Sequence, residues 1–223
     1  MIFDKKVVGV IVCRKGSKRI TNKTWSEING KSLLEIKINQ LKKVKILDEI
    51  IVGSNDENVE DFCKSKNITF IKRDDYYCDE SKCTANEMIK NILSFIDSDI
   101  VLWAHLTNPF IDETHYENAL ITYEKNIENF DSVFSVSELK EHFWNTNKEP
   151  INHNPWSEKH IVAKNLSPLY KQNGGIFIRS KKDMENDGRF IGNKPYMFVM
   201  NEKDGWDLDY SWQLDFAKGA VNE

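Results

Sequence analysis

The stretch from Val7 to Trp25, VVGVIVCRKGSKRITNKTW, constrains this chain most. Its first part, VVGVIVC, is apolar, β-branched and too short for an ordinary helix, which predicts a buried strand. The apolar run stops at Cys13. Arg14, Lys15, Lys18, Arg19 and Lys23 then cluster around Gly16 and Ser17. A strand that ends in a glycine-containing, cation-dense loop suits a polyphosphate, because glycine admits an oxyanion to the backbone and the cations neutralise it. A solvated basic loop is the plainer alternative. Neither Gly-x4-Gly-Lys-Ser/Thr nor Gly-x-Gly-x-x-Gly is present, so this is not a P-loop.

Strands and helices alternate after this loop. Asn29-Gly30 marks a turn, and Lys31 to Val44 carries apolar residues at helical spacing. Strands are predicted at Asp48–Gly53, Ile68–Ile71, Asp99–Trp103 and Ser132–Val136. Helices are predicted at Glu57–Lys66, Thr84–Phe95 and Asp112–Lys125. This α/β order implies a mostly parallel sheet with helices on both faces. Ligands on such sheets bind beyond the carboxyl ends of the strands, which directs attention to residues 14–24, 54–56 and 105–111. The pattern breaks at about 138–170, an aromatic-rich stretch in which Phe143–His153 reads as a hairpin or an extended excursion, expected to serve as a subunit contact or substrate lid. Strands return at Gly175–Arg179 and Tyr196–Met200, and a last helix runs from Tyr210 to Val221. The 223 residues are most economically one domain carrying this insertion.

Near the tail, Asp207-Leu208-Asp209 sets two carboxylates on the same side of an extended segment, where both can face one divalent cation. They can equally cap the last helix. Beside a phosphate-type loop the metal reading gains. Together the two features suit nucleotidyl transfer. Arg14, Lys18 and Lys23 would hold the phosphates, the aspartates would hold Mg²⁺, and the second substrate would bring the nucleophile. No Ser–His or Cys–His pair and no Gly-x-Ser-x-Gly is evident.

Charge and cysteine usage narrow the class. The formal net charge is -4 with acids and bases mixed, so a duplex-binding face is not expected. Cys13, Cys63, Cys78 and Cys83 contain no zinc spacing, and they read as reduced thiols of a cytoplasmic protein. The N-terminus lacks the pattern of a signal peptide, and no apolar run approaches the ~20 residues needed to span a membrane.

The run R-x-G-S-K-R-I-x-N-K from Arg14 to Lys23 resembles the signature loop of the acylneuraminate (CMP-sugar-acid) cytidylyltransferases. Family-like motifs follow in order over nearly the whole chain: IIVGSND at 50–56, Lys72-Arg73-Asp74, LTNPF at 106–110, DSVFSV at 131–136, NGGIFI at 173–178 and the Asp207/Asp209 pair. The resemblance implies a Rossmann-like nucleotidyltransferase sheet and a reaction of CTP with a sugar acid that releases pyrophosphate. It implies nucleotide and phosphate roles for Arg14, Ser17, Lys18, Asn22 and Lys23, with Arg73 and Asn86 near the nucleotide. Mg²⁺ would sit on Asp207 and Asp209, and a homodimer would form through the excursion.

The chain departs from the family on the acceptor side. A Gln that usually touches the sugar is His105, a closing Arg is Ile111, and an Arg-x-Gln run is replaced by a stretch whose one cation is Lys164. The acceptor is therefore expected among His105, Thr107, Asn108, Lys164, Tyr170 and Asn173. Phe143, Trp144 and Trp156 either line the same cleft or pack in a core or interface. The expected activity is cytidylyl transfer to a nonulosonic-type sugar acid for surface glycan synthesis. The rivals are a phosphorylated or phosphonate acceptor, with Lys164 and His105 facing its anion, and an inactive nucleotide-binding module.

Overall fold

The computed structural model describes residues 4–17 and 19–220, so Lys18 and Val221 lie outside the described residues. Its frame is a seven-stranded sheet. The strands are β1 (Val7–Val12), β4 (Glu49–Ser54), β5 (Thr69–Lys72), β6 (Ile100–Ala104), β7 (Ser132–Leu139), β8 (Leu169–Ser180) and β9 (Pro195–Met200), in the order β5-β4-β1-β6-β8-β7-β9. All neighbours pair in parallel except at β8, which is antiparallel to both β6 and β7. The mostly parallel α/β sheet expected from the sequence is what forms.

Strand periodicity builds two cores. On one face Val7 and Ile11 of β1, Ile100, Leu102 and Ala104 of β6, and Ile176 and Ile178 of β8 meet four helices. These are α1 (Leu33–Lys42), α2 (Glu57–Ser65), α5 (Glu113–Asn126) and α7 (Ser211–Ala220). On the other face Val8, Val10, Val101, Trp103 and Phe177 meet α4 (Ala85–Leu93) and α6 (Lys181–Asp187). Because β1 and β6 are buried on both sides, their sequences read as unbroken apolar runs rather than alternations.

Several boundaries differ from expectation for local reasons. The helix expected from Lys31 starts at Leu33, because Lys31–Ser32 (β3) pairs with Glu27–Ile28 (β2) across Asn29-Gly30. Both turn residues have positive φ, 50° and 72°, which suits a tight hairpin. Ser32 then caps α1 by accepting from the Glu35 amide at 3.2 Å. Strand β8 begins six residues before Gly175, and its polar first part, LYKQ, pairs with Val136–Leu139 beyond a register shift in β7. The short helix α3 (Asp75–Cys78) and helix α6 were not expected; α6 buries only Met184 and shows almost no apolar periodicity. The excursion does carry a hairpin contact, an isolated antiparallel bridge between Trp144 and Pro150.

Candidate active site

A cavity of about 380 Å³ opens beyond the carboxyl ends of β1 and β6. The basic loop forms one wall with Arg14, Ser17, Arg19 and Lys23; His105 and Thr107 line it from the loop after β6, and Asp207 and Asp209 from the tail. A second cavity of about 300 Å³ shares Val12, Cys13, Arg14, Glu80 and His105 with it. That second space is lined further by Arg73, Tyr77, Cys78, Cys83, Ala85, Met88 and Trp103. The two form one cleft, polar at the loop and more apolar toward α4.

The loop is pinned from both sides. The Lys15 amide donates to Asn55 Oδ1 at 2.9 Å, and the Cys13 amide to the Gly53 carbonyl at 3.0 Å. Asn22, in the left-handed region at φ 58°, turns the chain into a short 3-10 segment, Lys23–Trp25. That turn aims Lys23 inward, where Nζ donates to the Leu208 carbonyl at 2.8 Å and stands 3.9 Å from Asp209 Oδ1. Burial lowers the Lys23 pKa, Asp209 opposes that shift, and Arg19 and Arg14 add to it. Arg14 pairs with Glu80 at 3.1 Å and Arg19 with Asp209 at 2.6 Å.

The carboxylates are held unequally. Asp207 is largely shielded, and its Oδ1 is buried without a hydrogen-bond partner. Burial raises its pKa, and the neighbouring charge of Asp209 adds to the rise, while Thr107 and Lys23 pull it down. An orphaned, shielded carboxylate oxygen beside a second carboxylate is costly unless a cation satisfies it. These residues therefore fit a divalent cation with oxygen preference. Among the described residues no cluster of three or more His, Cys, Asp or Glu could hold a metal, so substrate oxygens and water would complete the coordination.

His105 stands where the two cavities meet. Burial pushes its pKa down to about 4, helped by Lys37 and Lys23. It is a neutral imidazole near pH 7, edge-on to Phe177 and Phe190 at 5.8 and 5.9 Å. Arg73 lines the second cavity, 4 % exposed. One Nη donates to the Tyr77 carbonyl, Nε has no partner, and no ion pair to it forms among the described residues. Its surroundings are the thiols of Cys78, Cys13 and Cys83 rather than a carboxylate.

Six expected site residues stand away from these walls. Asn22 is exposed and contributes its backbone turn rather than its side chain. Asn86 donates to the Gly188 carbonyl at 2.8 Å, joining α4 to the end of α6. Asn108 is buried, and its side chain donates to the Asn173 carbonyl at 2.9 Å and the Trp206 carbonyl at 3.3 Å. Asn173 is buried too, between Ser135, Ser137 and the Gly175 amide. Lys164 is exposed in a 3-10 turn of the excursion, and Tyr170 is exposed on β8 opposite Glu138. Trp144 and Trp156 are exposed in the excursion and line neither cavity. Asn is ambiguous in sequence, because an amide that would grip a ligand grips backbone equally well. Glu80 lines the first cavity without having been expected there, and Arg19 and Thr24 join it from the 14–24 stretch, where neither carried an assigned role. The spacing of cations in the loop marks Arg19 only as one of five, and nothing in the sequence marks Glu80.

Comparison with known proteins gives the family and the fold. Residues 8–203 match the family model described as "Cytidylyltransferase". The chain is 23% identical over 222 residues to an N-acylneuraminate cytidylyltransferase of Escherichia coli, covering 95% of this chain and 51% of that protein. It is 26% identical over 235 residues to a pseudaminic acid cytidylyltransferase of Campylobacter jejuni, covering 94% and 93%. The chain thus spans about half the length of the N-acylneuraminate relatives it matches. In fold it resembles a CMP:2-keto-3-deoxy-manno-octonic acid synthetase complexed with CTP, with TM-score 0.70 and 14% identity over 97% of this chain and 98% of that one. A 4-diphosphocytidyl-2C-methyl-D-erythritol synthase from Anaerococcus prevotii gives TM-score 0.68 and 14% identity over 98% and 97%.

Proposed function

The chain belongs to the cytidylyltransferase family, and we propose that it couples CTP to a sugar acid of the nonulosonic type, yielding a CMP-sugar and pyrophosphate for surface glycan synthesis. The observation that carries this reading is the convergence of Arg14, Ser17 and Lys23 with Asp207 and Asp209 on one cavity. The relative matched nearly end to end, pseudaminic acid cytidylyltransferase, supports the acceptor class.

In this reading the triphosphate lies against Arg14, Ser17 and Lys23, with Lys18 assigned there by the resemblance. The more apolar second cavity takes the nucleoside. Arg73 brings it a buried positive charge without a carboxylate partner. Asp207 and Asp209 would hold Mg²⁺, which would supply charge neutralisation for the phosphates when bound. The acceptor hydroxyl oxygen attacks the α-phosphorus and gives up its proton to water, the bond from the α-phosphorus to the oxygen bridging to the β-phosphate breaks, and pyrophosphate leaves. Lys23 and Arg14 stabilise the charge that grows on it. His105, neutral and fixed by the Gly174 backbone, offers its other ring nitrogen to the acceptor. Arg14 pairs with Glu80 and Arg19 with Asp209, so phosphates at this wall would compete with two carboxylates for the guanidinium groups.

A phosphorylated acceptor gains no support from the site, since Lys164 lies outside both cavities and His105 is uncharged. We assign the excursion to a homodimer contact on the exposure of its aromatic residues. Dependence on CTP and four free thiols make the cytoplasm the fitting compartment. No described helix is long and apolar enough to cross a membrane. Pyrophosphate release across a panel of nucleotides and acceptors, with and without Mg²⁺, tests the reading. Release with CTP and a nine-carbon keto sugar acid is expected; release only with a phosphorylated acceptor, or none with any, overturns it.

A further inference from the structure

Lys37 lies on the inner side of α1 and is fully buried, at 0 % exposure. Its Nζ donates to the Asn108 backbone carbonyl at 2.8 Å and to the Tyr116 hydroxyl at 2.7 Å, and it sits 5.1 Å from the centre of the Tyr116 ring. No carboxylate pairs with it among the described residues. An apolar side chain would fill this place without the cost of burying an amine. The lysine does what an apolar residue cannot, since it satisfies the carbonyl of a loop turning through the core. Burial pushes its pKa down to about 7. Both contacts survive deprotonation, because a neutral amine still donates to the carbonyl and can accept from the phenol.

The carbonyl it grips belongs to a residue with a second task. The Asn108 side chain, also 0 % exposed, reaches the carbonyls of Asn173 and Trp206 at 2.9 and 3.3 Å. One residue earlier, the Thr107 carbonyl accepts from the Leu208 amide at 2.8 Å, and the Thr107 side chain bonds Asp207. The chain of contacts runs from α1 through Asn108 and Thr107 to the aspartate whose Oδ1 stands unpartnered in the cavity wall.

We infer that Lys37 is a positioning residue: through Asn108 it fixes the 105–111 loop against residues 205–208, and so sets where Asp207 stands. The inference rests on the proposed function only for what Asp207 does there. Lys37 lines neither cavity; it reaches Asp207 through the loop, and its charge acts separately on His105.

Amide hydrogen exchange and Mn²⁺ binding followed by electron paramagnetic resonance test this without needing any acceptor. In Lys37→Met, exchange at the Leu208 amide should speed up by at least about tenfold while residues 14–17 keep their wild-type rates. The Mn²⁺ dissociation constant should rise severalfold. Lys37→Gln retains an N–H donor and should return Leu208 toward its wild-type rate. Unchanged exchange at Leu208 in folded Lys37→Met overturns the inference, as does a uniform acceleration that includes 14–17. Should Lys37→Met not fold, Tyr116→Phe decides: it removes only the phenol contact, so Leu208 should stay within about twofold of wild type, and a larger acceleration overturns the assignment. A protein that releases no pyrophosphate would refute the proposed activity and leave these readings standing.

Discussion

At the scale of single residues, the cavity is an arrangement of unequal charges. Lys23 is the residue with most at stake. It is largely shielded, it reaches the Leu208 carbonyl, and it faces both the first cavity and Asp209. Lys23→Ala should lower kcat by ~10²-fold or more, the loss expected when one fixed donor to developing charge is removed. Pyrophosphate release at saturating CTP measures it, and a loss below threefold would place Lys23 outside the reacting phosphates. The sequence identified Lys23 through cation density and through the resemblance of its loop to the cytidylyltransferase signature. Cation density by itself does not tell Lys23 from Arg19, which pairs with Asp209 from a more exposed position, because burial of a cation depends on the Asn22 turn rather than on spacing. Lys37 was invisible for the same reason, since a lysine in an amphipathic helix reads as solvated. Its burial has a measurable sign. The unfolded chain keeps Lys37 protonated up to about pH 10.5, whereas the folded protein releases that proton near 7. Between those values the unfolded state binds more protons, so stability contributed by this residue rises with pH and is lost as pH falls through 7. Urea melts of wild type and Lys37→Met should therefore diverge across pH 7 to 10.5, with wild type gaining as pH rises. Parallel stability curves would mean that Lys37 titrates normally.

At the scale of elements, the strands whose burial is two-sided were the most legible. VVGVIV and IVLWA need no partner information, because only a central strand of a covered sheet buries such runs. What escaped was structure decided by contact. LYKQ becomes strand because β7 offers a free edge, and KKDMEND becomes helix because Met184 has a hole to fill under Trp103 and Phe177. The junction of β8 with the tail segment shows how closely these elements depend on each other. A Cβ added at Gly205 would run into the Asn173 amide and the Ser137 hydroxyl, both in the buried polar cluster that also receives Asn108. Gly205→Ala should cost about 1–3 kcal/mol, the usual range for overpacking. If Asp207 holds Mg²⁺ as proposed, Gly205→Ala should also weaken Mg²⁺ saturation, since Asp207 lies two residues on. Chemical denaturation and a Mg²⁺ titration read the two effects. A variant as stable as wild type would show that the Asn173 cluster yields without strain.

For the molecule as a whole, the sheet and the excursion have separable duties. Neither cavity is lined by any residue between 140 and 168. Yet that segment exposes Trp144, Ile151, Ile161 and Val162, and Trp156 at 77 %. The rings of Trp144 and Trp156 meet edge to face with centroids 6.3 Å apart, so the patch has a defined shape before any partner arrives. Tryptophans at the centre of an interface carry much of its binding energy. If a second copy covers this patch, wild type should sediment as a dimer at micromolar concentration. Trp156→Glu should then sediment as a monomer, because a carboxylate buried against the partner's apolar surface has no counter-charge. The monomer should bind CTP with a dissociation constant within about threefold of the wild-type value, as the proposed nucleotide walls belong to the loops after β1 and β6, to the α3–α4 region and to the tail, none of them in the excursion. Sedimentation velocity and titration calorimetry on the same preparation decide both halves. A wild-type protein that sediments as a monomer removes the dimer. A monomeric variant that no longer binds CTP would show instead that the excursion reaches back into the cleft of a neighbouring copy, and that the site is shared.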